Sequence, residues 1–250
     1  SGASLSRLLS ANTPIRILCG VGGVTSLCIF RYLTAVKGYN LEISYNFSSS
    51  QDIVHTLRAQ GGDDPVDGVV MALCCSVRLC QGKSSFSPLG LMPSTTHARL
   101  SRGSDIEQYL FLTDVVTGSH FNFEDEKKPH RREVSTCPLP IAGLVEELER
   151  HGNSRAILFW PYYVFANKRN DWSIDSDFSR VPAYELVTLC VGKRISTNPD
   201  LALALNIAIR DAWLTLRNNP RLIDSMIEAL LADPCFVSAF CRLGPEPIIQ

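Results

Sequence analysis

The segment Gly20-Val21-Gly22-Gly23-Val24-Thr25-Ser26 places three glycines and two hydroxyls between a short apolar run and a longer one. A glycine-rich turn where a strand gives way to a helix leaves backbone N–H groups free to meet a phosphate or another anion. Two nucleotide chemistries can be tested against it. A phosphate loop needs a lysine ahead of the hydroxyl, and none stands there. A dinucleotide fingerprint needs a third glycine, where Thr25 stands, and an acid after the second strand, where Asn46 and Phe47 stand. What remains is a helix start. Its N–H groups and the hydroxyls of Thr25 and Ser26 either cap the helix or face a polar or anionic group. Ser48-Ser49-Ser50 offers the same choice before the next helical segment.

Thiols are the second reactive set. The nine cysteines are odd in number, and Cys28 and Cys190 lie inside apolar runs, where free cysteine packs as a small hydrophobe. The expectation is reduced thiols. Cys74 or Cys75 with His55 or His97 would be the candidates for thiol chemistry, but nothing in the spacing specifies a pair, and a GxSxG nucleophile motif is absent. No cysteine spacing matches a zinc site, and the five histidines are scattered, so neither metal nor cofactor is expected. The aromatic group Trp160-Pro161-Tyr162-Tyr163 ends an apolar run. It reads either as a cluster closing a small lobe or as a rigid pocket wall.

The elements that would position these residues follow from periodicity. IRILCG, LEISYNF and VDGVVMALCC read as strands. Between them lie a helix with Leu27, Phe30, Leu33 and Val36 on one face, stopped by Gly38, and a second helix with Ile53, Leu57 and Ala59. This β-α-β-α-β order predicts a parallel sheet with right-handed crossovers. Residues 86–92 read as an extended connection, QYLFLTDVV as a strand, and EDEKKPHRRE as a solvated loop or, less simply, a basic ligand patch. A strand at EVSTCPLP, a helix with Ile141, Leu144, Val145 and Leu148, and strands at RAILFW and YELVTLCVG follow. Asn198-Pro199, Asn219-Pro220 and Asp233-Pro234 each set a capping side chain before a proline, so three helices are expected at the C-terminal end.

Composition limits the partners. A chain of 250 residues with 45% hydrophobic and 20% charged residues can bury a core, and its formal net charge of -1 gives no electrostatic footprint for nucleic acid. The longest uncharged apolar stretch, residues 17–30, falls short of the roughly 20 residues a membrane span requires, so no direct membrane insertion is expected. Ser1-Gly2-Ala3 reads as a trimmed start, which leaves room for a leader removed upstream.

Taken in order, the parts resemble a known family. RAILFWPYYVFA is similar to a strand-then-helix segment of type II periplasmic solute-binding proteins, in the group that binds nitrate, sulfonates, taurine and thiamine precursors. Here proline directly follows tryptophan, one residue tighter than the family's commonest form. YELVTLCVGKRISTNPDLALALNIAIRDAWLTLRNNPRLI resembles the return strand and the two Asn-Pro-started helices after it. LRAQGGDDPVDGVVMA resembles the helix end and third strand, with Asp67.

The resemblance implies an α/β, two-lobed type II periplasmic-binding-protein-like fold, each lobe a mostly parallel sheet flanked by helices. Residues 1–92 with 183–250 would form the first lobe and 93–182 the second. It implies a non-enzymatic protein that clamps a small organic ligand between the lobes, as the binding component of an ABC-type uptake system with a membrane transporter as partner. The ligand would meet Gly22, Gly23, Thr25, Ser26, Ser49, Ser50, Ala72, Leu73 and Cys74 from one lobe, and Thr136, Cys137, Trp160 and Tyr162 from the other. An enzyme of cofactor biosynthesis, or a cytoplasmic ligand-sensing module on the same fold, is the alternative. A removed leader would make the protein periplasmic; the cysteine content favours the cytoplasm.

Overall fold

The computed structural model describes residues 2–20, 24–47, 50–59, 66–82, 84–93, 97–103, 108–112, 135–139, 147, 150, 152–159, 172–174 and 186–241. In chain order the described elements are α1 (Gly2–Leu9), β1 (Ile15–Cys19), α2 (Val24–Ala35), β2 (Leu41–Tyr45), α3 (Ser50–Ala59), β3 (Gly68–Ala72), α4 (Leu73–Cys80) and β4 (Ser87–Pro93). Strands β5 (His97–Arg102), β6 (Gln108–Leu112), β7 (Ser135–Leu139), β8 (Ser154–Phe159) and β9 (Trp172–Ile174) follow. The chain then continues through β10 (Leu186–Val191), α5 (Lys193–Ser196), α6 (Pro199–Arg217), α7 (Pro220–Leu231) and α8 (Pro234–Cys241). These residues fall into two compact units. One comprises Ser1–Ser94 and Leu186–Phe240, the other Thr95–Glu185 and Cys241–Gln250.

The first unit is built on a sheet of order β2-β1-β3-β10-β4. Strands β1, β2 and β3 pair in parallel, and β10 runs antiparallel to both β3 and β4. Four of its five strands therefore share one direction. The second unit repeats the pattern, with order β7-β6-β8-β5-β9. Strands β6, β7 and β8 are parallel, and β5 is antiparallel to β8 and β9. In each sheet the reversed strand is the first one the chain adds after crossing from the other unit.

Alternation along the strands sorts the core of the first unit into two layers. Val69 and Met71 of β3 and Cys190 of β10 face α3 and α4, where Ile53, Val54, Leu57, Cys75, Leu79 and Phe86 complete one cluster. Ile15, Ile17 and Cys19 of β1 point to the opposite face and are 0–2% exposed. Right-handed crossovers place α2 on that face, where it packs against α6 and α7. The spacing predicts an inward face of Leu205, Ile209 and Ala212 on α6 and of Ile223, Met226, Ile227 and Leu230 on α7; all are buried except Ile223 and Ile227, which are half-buried.

The Asx-Pro helix starts are realised in register. Asn198 Oδ1 accepts from Leu201 N at 3.1 Å, and Asp233 Oδ1 accepts from Cys235 N at 2.9 Å. Asn219 precedes Pro220 at the start of α7 without a side-chain cap bond. Two expectations are corrected. Val36 is 51% exposed rather than part of the buried face, because α2 ends at Ala35 and Gly38 (φ 65°) turns the chain away. The third strand does not run through Cys74 and Cys75; it stops at Ala72, and α4 begins at Leu73. Residues 86–92, expected as an extended connection, form most of β4 and pair with β10. The helix expected over 141–148 and the charged stretch 124–133 lie outside the described residues, apart from Glu147.

At the amino-terminal edge of the first sheet lies Asp67, 3% exposed. Its Oδ2 accepts from Arg16 N at 2.8 Å and from Arg194 Nη1 at 3.0 Å. Its own backbone donates to Arg16 O at 2.8 Å and accepts from Gly192 N at 2.9 Å. Arg194 reaches further, donating to Pro14 O at 2.7 Å and Thr13 O at 3.1 Å. Truncation at this point leaves a buried N–H and a guanidinium without their acceptor. Asp67→Ala is therefore expected to lower unfolding free energy by about 2–4 kcal/mol, and Asp67→Asn, which keeps an acceptor, by roughly half as much. Urea denaturation of the two variants checks the order; equal losses would remove the charge from the argument.

Candidate functional site

Parallel strands β2, β1 and β3 end on one edge, and a helix starts after each of them. Open α/β sheets bind ligands at this carboxyl edge, where the order of strands reverses on either side of the first one. The ladder extends one residue past β1: Gly20 N donates to Val70 O at 2.9 Å, and Asn46 N donates to Cys19 O at 3.0 Å. A Cβ on Gly20 would stand 3.0 Å from Val70 O and 3.4 Å from Ile53 Cδ1. Glycine there lets the chain leave the sheet without displacing either neighbour.

The starts of α2, α3 and α4 bring several sequence-predicted residues to this edge. Thr25 and Ser26 lie in the first turn of α2, 9% and 1% exposed. Ser50 opens α3, with exposed Asp52 in the same turn. Ala72 is the N-cap of α4 in an extended conformation (φ -57°, ψ 144°) and makes no side-chain cap bond. Leu73 follows, 40% exposed, and Cys74 occupies the same turn. Helix starts carry partial positive charge, so this edge favours an anionic or strongly polar group. Thr136 and Cys137 lie in β7 of the second unit. Gly22, Gly23, Ser49, Trp160 and Tyr162 lie outside the described residues.

Residues named for thiol chemistry fall in different elements. His55 on α3 and Cys75 on α4 line one groove of about 380 Å³ together with Val54, Arg58 and Arg78. His97 lies in β5 of the other unit. Cys75 is 4% exposed, while Arg58 is engaged in holding α4, donating to Arg78 O at 3.2 Å and Gln81 O at 3.3 Å. Among the described residues no group of three or more His, Cys, Asp or Glu side chains could hold a metal ion. No described helix is long and apolar enough to cross a membrane.

Two features of this end of the sheet were not read from the sequence. Thr188 of β10 pairs with Met71, is 1% exposed, and has a buried Oγ1 without a hydrogen-bond partner among the described residues. The signal was available: it is the one hydroxyl in the apolar strand LVTLCV. The second is an aromatic cluster that fixes α8 to the end of β2. Phe236, 0% exposed, meets Tyr45 edge-on at 5.3 Å and Phe47 at 5.4 Å between ring centroids. An Arg31–Asp233 ion pair at 3.4 Å holds the start of α8. Burial raises the Tyr45 phenol well above its ordinary range, with nearby Cys19 and Asp233 adding to the effect and Arg31 opposing it.

Burial also pushes the thiols of Cys19 and Cys28 up to about 12. Unfolded thiols ionise near pH 8.5, so above that pH the unfolded chain sheds protons that the folded chain keeps. Stability is then full below the unfolded thiol pKa and falls as pH rises from about 9 toward 12. Denaturation midpoints at stepped alkaline pH check this window, and Cys28→Ala should flatten the fall. Separately, Thr188→Val removes an unsatisfied hydroxyl at nearly constant shape. It should raise unfolding free energy by about 0.5–1.5 kcal/mol; a loss of that size in urea titration would show that the hydroxyl is bonded.

Comparison with known proteins places the fold. No protein-family model matches the chain, and no curated protein matches it in sequence. Solved structures do match. The crystal structure of an ABC transporter from Parabacteroides distasonis aligns with TM-score 0.64 at 12% identity, covering 93% of this chain and 85% of that one. The zinc-bound ligand-binding component of an ABC-type import system from Staphylococcus aureus gives 0.65 at 13%, covering 87% and 79%. The periplasmic aliphatic sulphonate binding protein SsuA from Escherichia coli gives 0.59 at 11%, covering 94% and 85%. At these identities the likeness is one of architecture, and the architecture is the mixed α/β fold of the type II periplasmic solute-binding proteins.

Proposed function

We propose that this protein is a solute-binding protein that takes a small organic molecule at the carboxyl edge of its parallel strands and delivers it to an ABC-type import system. The observation that carries the reading is the convergence of the α2, α3 and α4 starts on that edge, in a fold shared with import-system binding proteins. Backbone N–H groups at helix starts suit an anionic or strongly polar end of a ligand. Ser26, at 1% exposure, is a poor direct donor to a ligand. Donors from the first unit are therefore proposed as Gly22, Gly23, Thr25, Ser49, Ser50 and the Ala72–Cys74 turn, with Ser26 supporting the turn from beneath. Contributions from Thr136, Cys137, Trp160 and Tyr162 are proposed on the family resemblance. An aliphatic sulfonate, the ligand class of one structural relative, is the first probe, because its oxyanion matches helix-start donors.

A ligand at a hundredfold excess over its Kd stabilises by about 2.7 kcal/mol, or roughly 5–10 °C for a chain of this size. Thermal melting against short-chain sulfonates, carboxylates, amino acids and pyrimidines should show a dose-dependent rise for one class. Calorimetric titration of Trp160→Ala with the responding compound should then show a loss of roughly 1–3 kcal/mol of binding with the melting temperature of the free protein preserved. No response in any class at millimolar concentration would sink the solute-binding reading. An unchanged affinity with a collapsed melting temperature would move Trp160 from the site to the core.

A further inference from the structure

Cys80 is the last residue of α4, and Cys190 lies in β10, on which α4 packs directly. Their sulfurs stand 3.6 Å apart although 110 positions separate them in the chain. Both are free thiols in this structure. A disulfide needs about 2.05 Å between sulfurs, a closure within reach of small side-chain rotations at a helix end. The backbone beyond Cys80 has already left the helix, with Gln81 extended and Gly82 at φ 70°. Accessibility differs between the two: Cys190 is 0% exposed, while Cys80 is partly exposed.

We propose that Cys80 and Cys190 form a reversible disulfide by exchange with a low-molecular-weight disulfide, clamping the two chain segments that build the first unit. The difference in exposure sets the order of events. Cys80, as thiolate, attacks one sulfur of the reagent; the reagent's S–S bond breaks, a mixed disulfide forms on Cys80, and the first thiolate leaves and is protonated by water. Cys190 then gives up its proton, its sulfur attacks Cys80 Sγ, and the mixed bond breaks to release the second thiolate. The two cysteines lose two electrons and two protons, and the reagent, reduced to two thiols, takes up both.

Burial raises the Cys190 pKa, and the adjacent Cys80 raises it further, against a hydrogen bond from Ser76 that lowers it. The second step is therefore the slow one and accelerates with pH. The bond joins α4, which precedes the second unit in the chain, to β10, which follows it. Residues 95–185 are thereby enclosed in one covalent loop. Long loops of this kind constrain the unfolded chain most, and the expected effect is a rise in melting temperature on the order of 10 °C.

The test uses the full chain, incubated with excess oxidised glutathione at about pH 8 and quenched by alkylation. Peptide mass mapping should recover the Cys80 and Cys190 peptides linked to each other. The melting temperature should rise, and dithiothreitol should reverse both changes. Cys190→Ala should stop at a glutathione adduct on Cys80, and Cys80→Ala should leave Cys190 alkylated only after denaturation. Recovery of both cysteines as alkylated thiols overturns the proposal, as does a lasting glutathione adduct on Cys80 of the unaltered chain or linkage of Cys80 to another cysteine. Should Cys190→Ala fail to fold, the map of the unaltered chain decides alone.

Discussion

The carboxylate of Asp67 sits where three stretches far apart in sequence meet: the entrance to β1, the entrance to β3 and the turn that follows β10. A buried carboxylate is tolerable only if its lone pairs are met, and here a backbone N–H and an arginine meet them. That requirement sets the register of β1 against β3 and the end of β10 against both. Register is decisive in a sheet covered on two faces, because a slip of one residue exchanges every inward side chain with its outward neighbour. Ile17 and Cys19 would then trade places with Leu18 and Gly20, and the α2 layer would lose its apolar floor. The same register, carried along five residues of strand, brings Gly20, Asn46 and Ala72 to a common edge.

Both units solve the same topological problem in the same way. Three parallel strands stand with the first in the middle, and the strand that arrives from the other unit runs the opposite way beside the third. A parallel trio puts its loops and helix starts at one edge, and the reversed strand beside it closes the pairing of what would otherwise be an open edge. Chemistry in such a frame belongs to loops and first helical turns, while the strands behind them hold few polar atoms. Among the described residues, Thr188 is the buried hydroxyl in the strands of the first unit, set among aliphatics.

Much of this was legible in the sequence because the cues were local. The β-α-β-α-β order followed from strand-length apolar runs separated by a three-and-four-residue period. Each Asx-Pro pair marked a helix start to the residue. Where no local cue existed, the reading failed. The start of α4 has Ala72 at its N-cap, which offers no capping oxygen, so the apolar run through Cys75 looked like one continuous strand. Val36 continued the periodic pattern of α2 one residue beyond the helix end. Strand β5, with two arginines and a histidine in six residues, lacked an apolar alternation to reveal it, and the three residues of β9 were too few to form a pattern. For the candidate site, the glycine and hydroxyl cues fall at the carboxyl edge of the first sheet, where β1 and β2 give way to α2 and α3. Thr188 escaped notice because its meaning depends on a missing partner, and partners are a tertiary property.

The position of β10 also governs how the protein can be made. In the sheet it stands between β3 and β4, so these two strands never pair with each other. When the ribosome has delivered the chain as far as residue 94, both strands still present an unbonded flank toward the place β10 will take. Those flanks remain open until about a hundred further residues, including residues 95–185 of the other unit, have been synthesised. At a typical elongation rate of about 5–20 residues per second, that is an interval of several seconds. During it, the buried apolar strand Gly68–Ala72 lies on an edge able to pair with any other extended segment. A nascent chain of this design therefore depends on whatever shields that edge in the cell, a chaperone or its own unpacked helices, for longer than a protein whose sheets are each encoded in one piece.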